Sequence, residues 1–359
     1  MNLRVKSLRD RLNELNIDAL LVTGKLNRNY LSGFTGTDCV LWVGQKKAVF
    51  VTDFRYTRQA QKQVQDMKIL ETPPGKGHLQ SAIDSIIDSG IQRLGFESHL
   101  LSHYHYELIK KWLKGKGIKL VSVMDVVEKV RMVKSSTEIN LIKKANQISM
   151  AAFESALKQI RPGIREIEIA KIYEEEASKR GGEGLAFDTI VASGWRAGLP
   201  HGVASSKKIK SGDLVVFDFG IKYKGYHSDC TRTLMVGKPS PKQIEIYQIV
   251  KEAQAQALKK VRAGVSTKQL DQVARDIISK AGYGEYFGHS LGHGVGLDIH
   301  EGPRLAQSQE MLLQPGMVVT VEPGIYLDKI GGVRIEDLVV VTETGHRVLT
   351  SYTKEMVCL

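Results

Sequence analysis

Asp218 and Asp229 sit in VVFDFGIKYKGYHSDCTRTL (residues 215–234), an otherwise β-like stretch. Val215, Val216, Phe217, Phe219 and Ile221 argue for a strand at least half buried, and KYKG reads as its turn. If the chain turns at Tyr223-Lys224, a two-residue hairpin pairs 222 with 225 and so on to 218 with 229. Directly opposed side chains of an antiparallel pair have Cβ atoms roughly 5 Å apart, where two carboxylates repel and neither is well solvated. A positive group belongs between them.

Four further stretches set residues that are costly to bury in apolar or glycine-rich surroundings. GLPHG frames His201; FGHSLGHGVGLDIHEGP carries His289, His293 and His300; VVTVEPGIY carries Glu322; VRIEDLVVV carries Arg334, Glu336 and Asp337. In the last, period-2 alternation puts Arg334, Glu336 and Leu338 on one strand face and Asp337 on the other. Singly, each has an ordinary explanation: a salt bridge from Glu336 to another segment, a solvated or capping Asp337, surface histidines at His103 and His105, a Cys230 packed on the face away from Asp229. Jointly, two opposed aspartates, two strand-borne glutamates and a histidine between glycines supply four carboxylates, one imidazole and no thiolate. That donor set suits Mn²⁺, Co²⁺ or Zn²⁺ better than an iron-sulfur or structural zinc site. Two ions would account for so many carboxylates, because bridging carboxylates hold metals ~3.5–4 Å apart.

The elements that must position these residues fall into two parts. Residues 1–130 alternate: a helix over 3–16, strands in IDALLV, VLWVG and KAVFVTD, helices in TRQAQKQVQDM and HLQSAIDSIIDSG, a strand in RLGFE, a helix in HYELIKKWLKGKG and a strand in IKLVSV. Gly24, Gly33 and Gly36 do not supply the G-x-G-x-x-G of a dinucleotide site, so this α/β domain reads as a support or lid. Residues 131–359 open on a long helical pattern, STEINLIKKANQISMAAFESALKQI, closed by Arg161-Pro162-Gly163. A repeat follows from it: ALKQIRPGIREIEIAKIYEEEASKRG (156–181) and ALKKVRAGVSTKQLDQVARDIISKAG (257–282) superpose without gaps at an offset of 101. Each copy reads as helix, glycine turn, helix, then strands. A cleft between two such halves is a natural meeting place for ligands from distant parts of the chain.

Composition bounds the function. With 42% hydrophobic and 25% charged residues among 359, the chain is an ordinary globular protein long enough for two domains, which excludes a disordered or fibrous one. Val5, Leu8, Leu12 and Leu15 mark a surface helix rather than a signal peptide, and no run approaches the roughly 18 apolar residues of a membrane span, so no membrane partner is expected. Cys39, Cys230 and Cys358 are odd in number and widely spaced, which makes a cytoplasmic location the default. The net charge of +12 permits nucleic-acid contact, but no Cys/His finger, phosphate loop or aromatic-basic repeat accompanies it. A solvated basic surface is the preferred reading.

DFG…SDCTRT, GHGVGLDIHE, VEPGIY and VRIED, in this order, resemble the motifs of the pita-bread metallopeptidases, the family of proline-specific aminopeptidases, prolidases and methionine aminopeptidases. The resemblance is strong over residues 131–350 and looser before them. It implies an α+β architecture, a C-terminal pita-bread fold with an internal pseudo-two-fold repeat preceded by a smaller α/β domain. It also implies two divalent metal ions per subunit, Mn²⁺ ahead of Co²⁺ or Zn²⁺. Asp218 would hold one ion, Asp229 and Glu336 would bridge both, and His293 with Glu322 would complete the second. All five positions carry the family's residue types, which argues against the creatine-hydrolysing relatives. The implied reaction is hydrolysis between an N-terminal residue and a following proline by a metal-bridging hydroxide, with Glu322 passing the proton to the proline nitrogen. His300 and His201 would stabilise the oxyanion and grip the substrate, His289 would line the proline side, and Arg334 would pair with Asp229. The two-domain layout and GLPHG favour the Xaa-Pro aminopeptidase and Xaa-Pro dipeptidase branch over methionine-aminopeptidase specificity; a catalytically silent protein- or RNA-binding member is the alternative from another class. The implied partners are short peptides with proline second and, in a homodimer, another copy of the chain.

Overall fold

Apolar strands alternating with amphipathic helices build the first part of the chain. A computed structural model, which describes residues 3–359, divides the chain into two units, Met1–Arg131 and Met132–Leu359. In the first unit, β1 (Ala19–Val22), β2 (Val40–Gly44), β3 (Ala48–Thr52), β4 (Lys68–Glu71), β5 (Arg93–Glu97) and β6 (Lys119–Val123) form one mixed sheet in the order β4-β3-β2-β1-β5-β6. Around it run α1 (Leu3–Glu14), α2 (Lys25–Ser32), α3 (Thr57–Gln63), α4 (His78–Ile87), α5 (His103–Trp112) and α6 (Val126–Arg131). Leu21, Trp42, Val51, Ile83, Ile86, Leu94 and Ile109 pack between β-sheet and helices as one core. Helices α2 and α6 and strand β4 are additions to the sequence reading; the end of α2 is signalled by Gly33, a left-handed C-cap at φ 72°.

The second unit is built twice from one plan. α7 (Ser136–Leu157) and α8 (Glu166–Lys179) precede β7 (Ile190–Ser193), β8 (Leu214–Phe219), the β9–β10 ribbon (Lys222–Tyr223, Tyr226–His227) and β11 (Cys230–Met235). α9 (Pro241–Lys260) and α10 (Thr267–Lys280) precede β12 (Gly292–Gly294), β13 (Glu301–Leu305), β14 (Val318–Val321), the β15–β16 ribbon (Gly324–Leu327, Gly331–Arg334), β17 (Asp337–Val341) and β18 (His346–Val348). With β19 (Val357–Cys358), the sheets read β19-β11-β8-β7 and β13-β12-β14-β17-β18. Both long helices start on a Ser capping box, Ser135 with Glu138 and Ser240 with Gln243, which satisfies amide donors the first turn leaves free.

Backbone bonds repeat with the plan. The Gly163 amide donates to the Ile209 carbonyl and Ile209 donates to Ile164; likewise Gly264 donates to Leu313 and Leu313 to Val265. The offset of 101 between the glycine turns grows to 104 at the partner residues, Ile209 and Leu313. Carried forward, 104 sets Leu214 of β8 on Val318 of β14 and Asp218 on Glu322.

Alternation along β8 sorts the residues. Phe217, Phe219 and Cys230 pack with Phe153 and Tyr173 of the α7–α8 pair, and the Phe153 and Phe219 rings stack at 4.4 Å. Each of these phenylalanines contributes about 1.5–3 kcal/mol on burial. Leu214 and Val216 point the other way, into the core shared with Val319, Val321, Val339 and the α9–α10 pair. Asp218 shares their parity and so faces the interior between the two halves. Among the described residues no helix is long and apolar enough to cross a membrane.

Candidate metal centre

The turn of the first hairpin decides how its aspartates meet. Tyr223 pairs with Tyr226, so the loop is Lys224-Gly225, with φ of 48° and 77°, the left-handed geometry of a type I′ turn that Gly adopts without strain. The loop lies one residue later than the sequence reading placed it, and every pairing moves by two: Asp218 faces Thr231, not Asp229. A shift of two keeps the face, because strand side chains alternate with period 2. Asp229 therefore lies diagonally from Asp218 on the same surface, and carboxylate oxygens of Asp218, Asp229 and Glu336 lie within 4.8 Å of one another.

His293 and Glu322 close the cluster. His293 Nε2 stands 3.5 Å from Asp229 Oδ2 and 3.4 Å from Glu322 Oε1. Its Nδ1 faces the Gly294 carbonyl at 3.1 Å and carries the proton, so Nε2 turns a lone pair toward the carboxylates. Burial holds the imidazole below its ordinary pKa, in the neutral form that ligates metals. Thr320 Oγ accepts from the His293 amide and donates to Glu322 Oε1, both at 3.0 Å.

Arg334 braces the far side. Its guanidinium donates to Asp218 Oδ2 at 2.7 Å, Thr231 Oγ at 3.0 Å, Tyr326 Oη at 2.9 Å and the Pro200 carbonyl at 3.1 Å. The expected pairing of Arg334 with Asp229 is thereby corrected: the two-residue shift brings Asp218 to the guanidinium instead. Burial works against the Arg334 charge, yet Tyr326, Asp218 and Glu322 hold its pKa well above the usual value. Thr231 passes the bracing on, donating to Glu336 Oε2 at 2.8 Å.

Four carboxylates, Asp218, Asp229, Glu322 and Glu336, thus surround one guanidinium and one neutral imidazole. Two carboxylates at 4.8 Å repel by about 3 kcal/mol at an effective dielectric near 20. Burial first, and the neighbouring carboxylates after it, push the acids Asp229 and Glu336 well above the ordinary carboxylate range; burial also raises Glu322. Asp218 Oδ1 and Glu336 Oε1 are buried without a hydrogen-bond partner. Orphaned oxygens in a cluster this negative fit a divalent cation, and Asp218, Asp229 and Glu336 can hold one.

The adjacent Asp337 shows the contrast. It is neither solvated nor a cap: 2% exposed, it accepts from Arg232 at 2.9 Å, Lys354 at 2.9 Å, Gln254 at 3.0 Å and Thr350 at 2.7 Å. Burial raises its pKa, but Arg232 and Lys354 outweigh that and hold it below the ordinary value. One residue separates Glu336, whose Oε1 has no hydrogen-bond partner, from an acid already neutralised by protein cations.

The remaining histidines line up unequally. His300 packs edge-on against His293, ring centroids 4.4 Å apart, and is itself exposed. His289 bonds Tyr326 Oη through Nε2 at 2.8 Å, so it joins the centre through Tyr326 and Arg334. His201 is exposed and follows Pro200, whose carbonyl Arg334 holds. Thr231, Thr320 and Arg232 escaped the sequence reading. Each threonine stands two places from an acid, Asp229 or Glu322, and that spacing was the available signal.

A family model described as metallopeptidase family M24 matches residues 140–343, and one described as the creatinase/prolidase N-terminal domain matches residues 4–133. The chain belongs to metallopeptidase family M24. The M24 chain is 42% identical to a Xaa-Pro dipeptidase of Pyrococcus horikoshii, the match covering 99% of each. Among solved structures, a Xaa-Pro dipeptidase from Bacillus anthracis superposes with a TM-score of 0.95 at 46% identity, covering 99% of both chains. An X-Pro aminopeptidase from Thermotoga maritima superposes at 0.89 and 41% identity, covering 98% of this chain and 100% of the other. As an M24 member the protein is a metal-dependent exopeptidase with the pita-bread fold.

Proposed function

We propose that the protein hydrolyses the bond between an N-terminal residue and a following proline. The observation that carries the reading is the convergence of Asp218, Asp229, His293, Glu322 and Glu336 with orphaned carboxylate oxygens, in a chain that matches named Xaa-Pro peptidases along nearly its whole length. Asp218 would hold one divalent ion, Asp229 and Glu336 would be shared with a second, and His293 with Glu322 would complete the second; Mn²⁺ is the favoured metal, with Co²⁺ and Zn²⁺ compatible with the same donors. Bound there, the ions would lower the pKa of water to give a nucleophile near neutral pH and would polarise the scissile carbonyl.

The side chains divide the remaining work. Thr320 occupies Glu322 Oε1, which leaves Oε2 to take a proton and deliver it to the proline nitrogen. His300, exposed beside His293, and His201, on its exposed loop, would donate to the developing oxyanion and grip the substrate. His289 with Tyr326 walls the proline side, and Arg334 keeps Asp218 from rotating away. A cytoplasmic site of action, supported by three free cysteines, and a homodimer belong to the same reading.

The test is a panel of Xaa-Pro dipeptides, Xaa-Pro-Xaa tripeptides and Met-Ala-Xaa peptides offered to Mn²⁺-loaded protein. Cleavage of the first two is expected. Cleavage of dipeptides alone identifies a dipeptidase, and preference for Met-Ala-Xaa overturns the proline assignment.

A further inference from the structure

Glu166, the first residue of α8, has a fully buried side chain. Its Oε1 accepts from the Ser193 amide at 2.8 Å and hydroxyl at 2.7 Å; its Oε2 accepts from the Ser205 amide at 3.1 Å, the Ser205 hydroxyl at 2.7 Å and the Arg196 guanidinium. Ser193 and Ser205 are the two feet of the loop that carries Pro200, His201 and Gly202, so one carboxylate clasps both. Arg196 extends the clasp over the crest by donating to the Val203 carbonyl at 2.8 Å. The crest itself exposes Trp195, Leu199 and Val203 at 57%, 43% and 45%. Ala197 packs into the core and Arg334 holds the Pro200 carbonyl, so the clasp adds the fixing of both feet between which His201 projects.

The repeat supplies an internal control. At the offset of 101, Glu166 corresponds to Thr267, the first residue of α10. The backbone does the same in both places: Glu166 N donates to the Lys207 carbonyl and Thr267 N to the Met311 carbonyl. Yet Thr267 is uncharged, its hydroxyl donating to the Gln309 carbonyl and accepting from the Met311 amide. The helix start needs no carboxylate. The second half sets its buried acid one turn later, at Asp271, which accepts from the Leu291 amide at 2.9 Å and pairs with Arg275, whose guanidinium donates to the Phe287 and His289 carbonyls at 2.9 Å; each half thus ties a histidine-bearing loop to its helix through an acid–arginine pair.

We infer that Glu166 is a positioning residue for substrate recognition: it fixes the 193–205 loop so that His201 meets the peptide, and it acts without touching the metal ligands. The inference rests on the reading of His201 as a substrate contact. Displacing a binding group by about 1 Å can cost as much as 10²-fold, and Glu166→Gln keeps the side-chain shape while removing the charge and one acceptor oxygen.

A mutant cycle of Glu166→Gln and His201→Ala tests it on Mn²⁺-loaded protein with a Xaa-Pro dipeptide. The expected result is a KM raised about 10-fold or more by Glu166→Gln, with kcat and the calorimetric Mn²⁺ affinity within about 2-fold of the parent. In the His201→Ala background the same change adds less than about 2-fold. Hydrogen exchange at the Ser193 and Ser205 amides accelerates, a readout that needs no substrate. Additive effects, an unchanged KM, or Mn²⁺ affinity falling together with kcat overturn the inference. If the parent cleaves only another peptide of the panel, the proline assignment falls by itself, and the cycle is read on that peptide. Should Glu166→Gln not fold, Arg196→Met and Ser205→Ala each remove one arm of the clasp, and the same KM-against-kcat split decides.

Discussion

The two halves of the second unit share one plan and contribute different chemistry. The first half offers short acids, Asp218 and Asp229, from a hairpin closed by a tight two-residue turn; the second offers longer acids, Glu322 and Glu336, and adds His293. Neither half braces its own acids fully. Thr231 of the first half holds Glu336 of the second, while Arg334 of the second holds Asp218 of the first, and His293 of the second faces Asp229. One plan supplies both scaffolds, and the residues in which the halves differ make each the other's support. A centre of this kind reports on the docking of the halves as much as on its ligands.

The largest expected effect is to remove what unites them. Chelation should abolish activity, and so should Asp229→Asn or Glu336→Gln, one from each half; residual turnover in only one variant would show that the halves contribute unequally. Chelation also exposes a pH effect. In the metal-free protein Asp229, Glu322 and Glu336 have raised pKa values, so the folded state binds more protons than the unfolded chain. Their favourable contribution is complete below the ordinary carboxylate range and is lost as pH rises through the raised values. Metal binding needs the ionised acids, so the loaded protein follows the opposite slope. Melting curves with chelator and with Mn²⁺ should therefore diverge as pH rises; parallel curves would contradict the clustered-acid account.

Arg334→Lys sharpens the comparison next, because lysine keeps the charge but cannot make four directed contacts. Metal affinity or kcat should fall roughly 10- to 100-fold, read by calorimetry and steady-state rates. Asp337→Asn should cost about 3 kcal/mol of stability in denaturant unfolding, because it leaves Arg232 buried with its charge uncompensated. That loss should be equal with and without Mn²⁺, unlike any change at Glu336. The smallest effects belong to the threonines: Thr231→Val and Thr320→Val should each weaken Mn²⁺ binding by about 10-fold with little change in melting temperature.

Much of this centre was legible in the residues, and the reason is parity. The turn was misplaced by one residue and the register by two, yet Asp218 and Asp229 kept a common face because period 2 survives a shift of two. Gly225 was the missed cue, since a type I′ turn favours glycine at its second position. The repeat was visible because both copies spend their glycines on the same helix turns. What stayed hidden was long-range partnership. Arg232 lies 105 residues from Asp337, and nothing local tells a buried, neutralised aspartate from a solvated one. Arg334 illustrates the same limit: its charge pointed to a nearby acid, and only the register chose between Asp218 and Asp229.

The bond between Arg334 and Asp218 spans 116 residues, and that distance has a consequence for how the protein is made. A ribosome delivers the first hairpin well before the arginine that will restrain it, so the newborn aspartates spend that interval hydrated and uncrowded. Closing so long a loop is entropically late work, undertaken only once the second half can dock. The peptide-cutting centre thus cannot be complete until the second half has docked, and an incomplete chain carries the first acids without the blade.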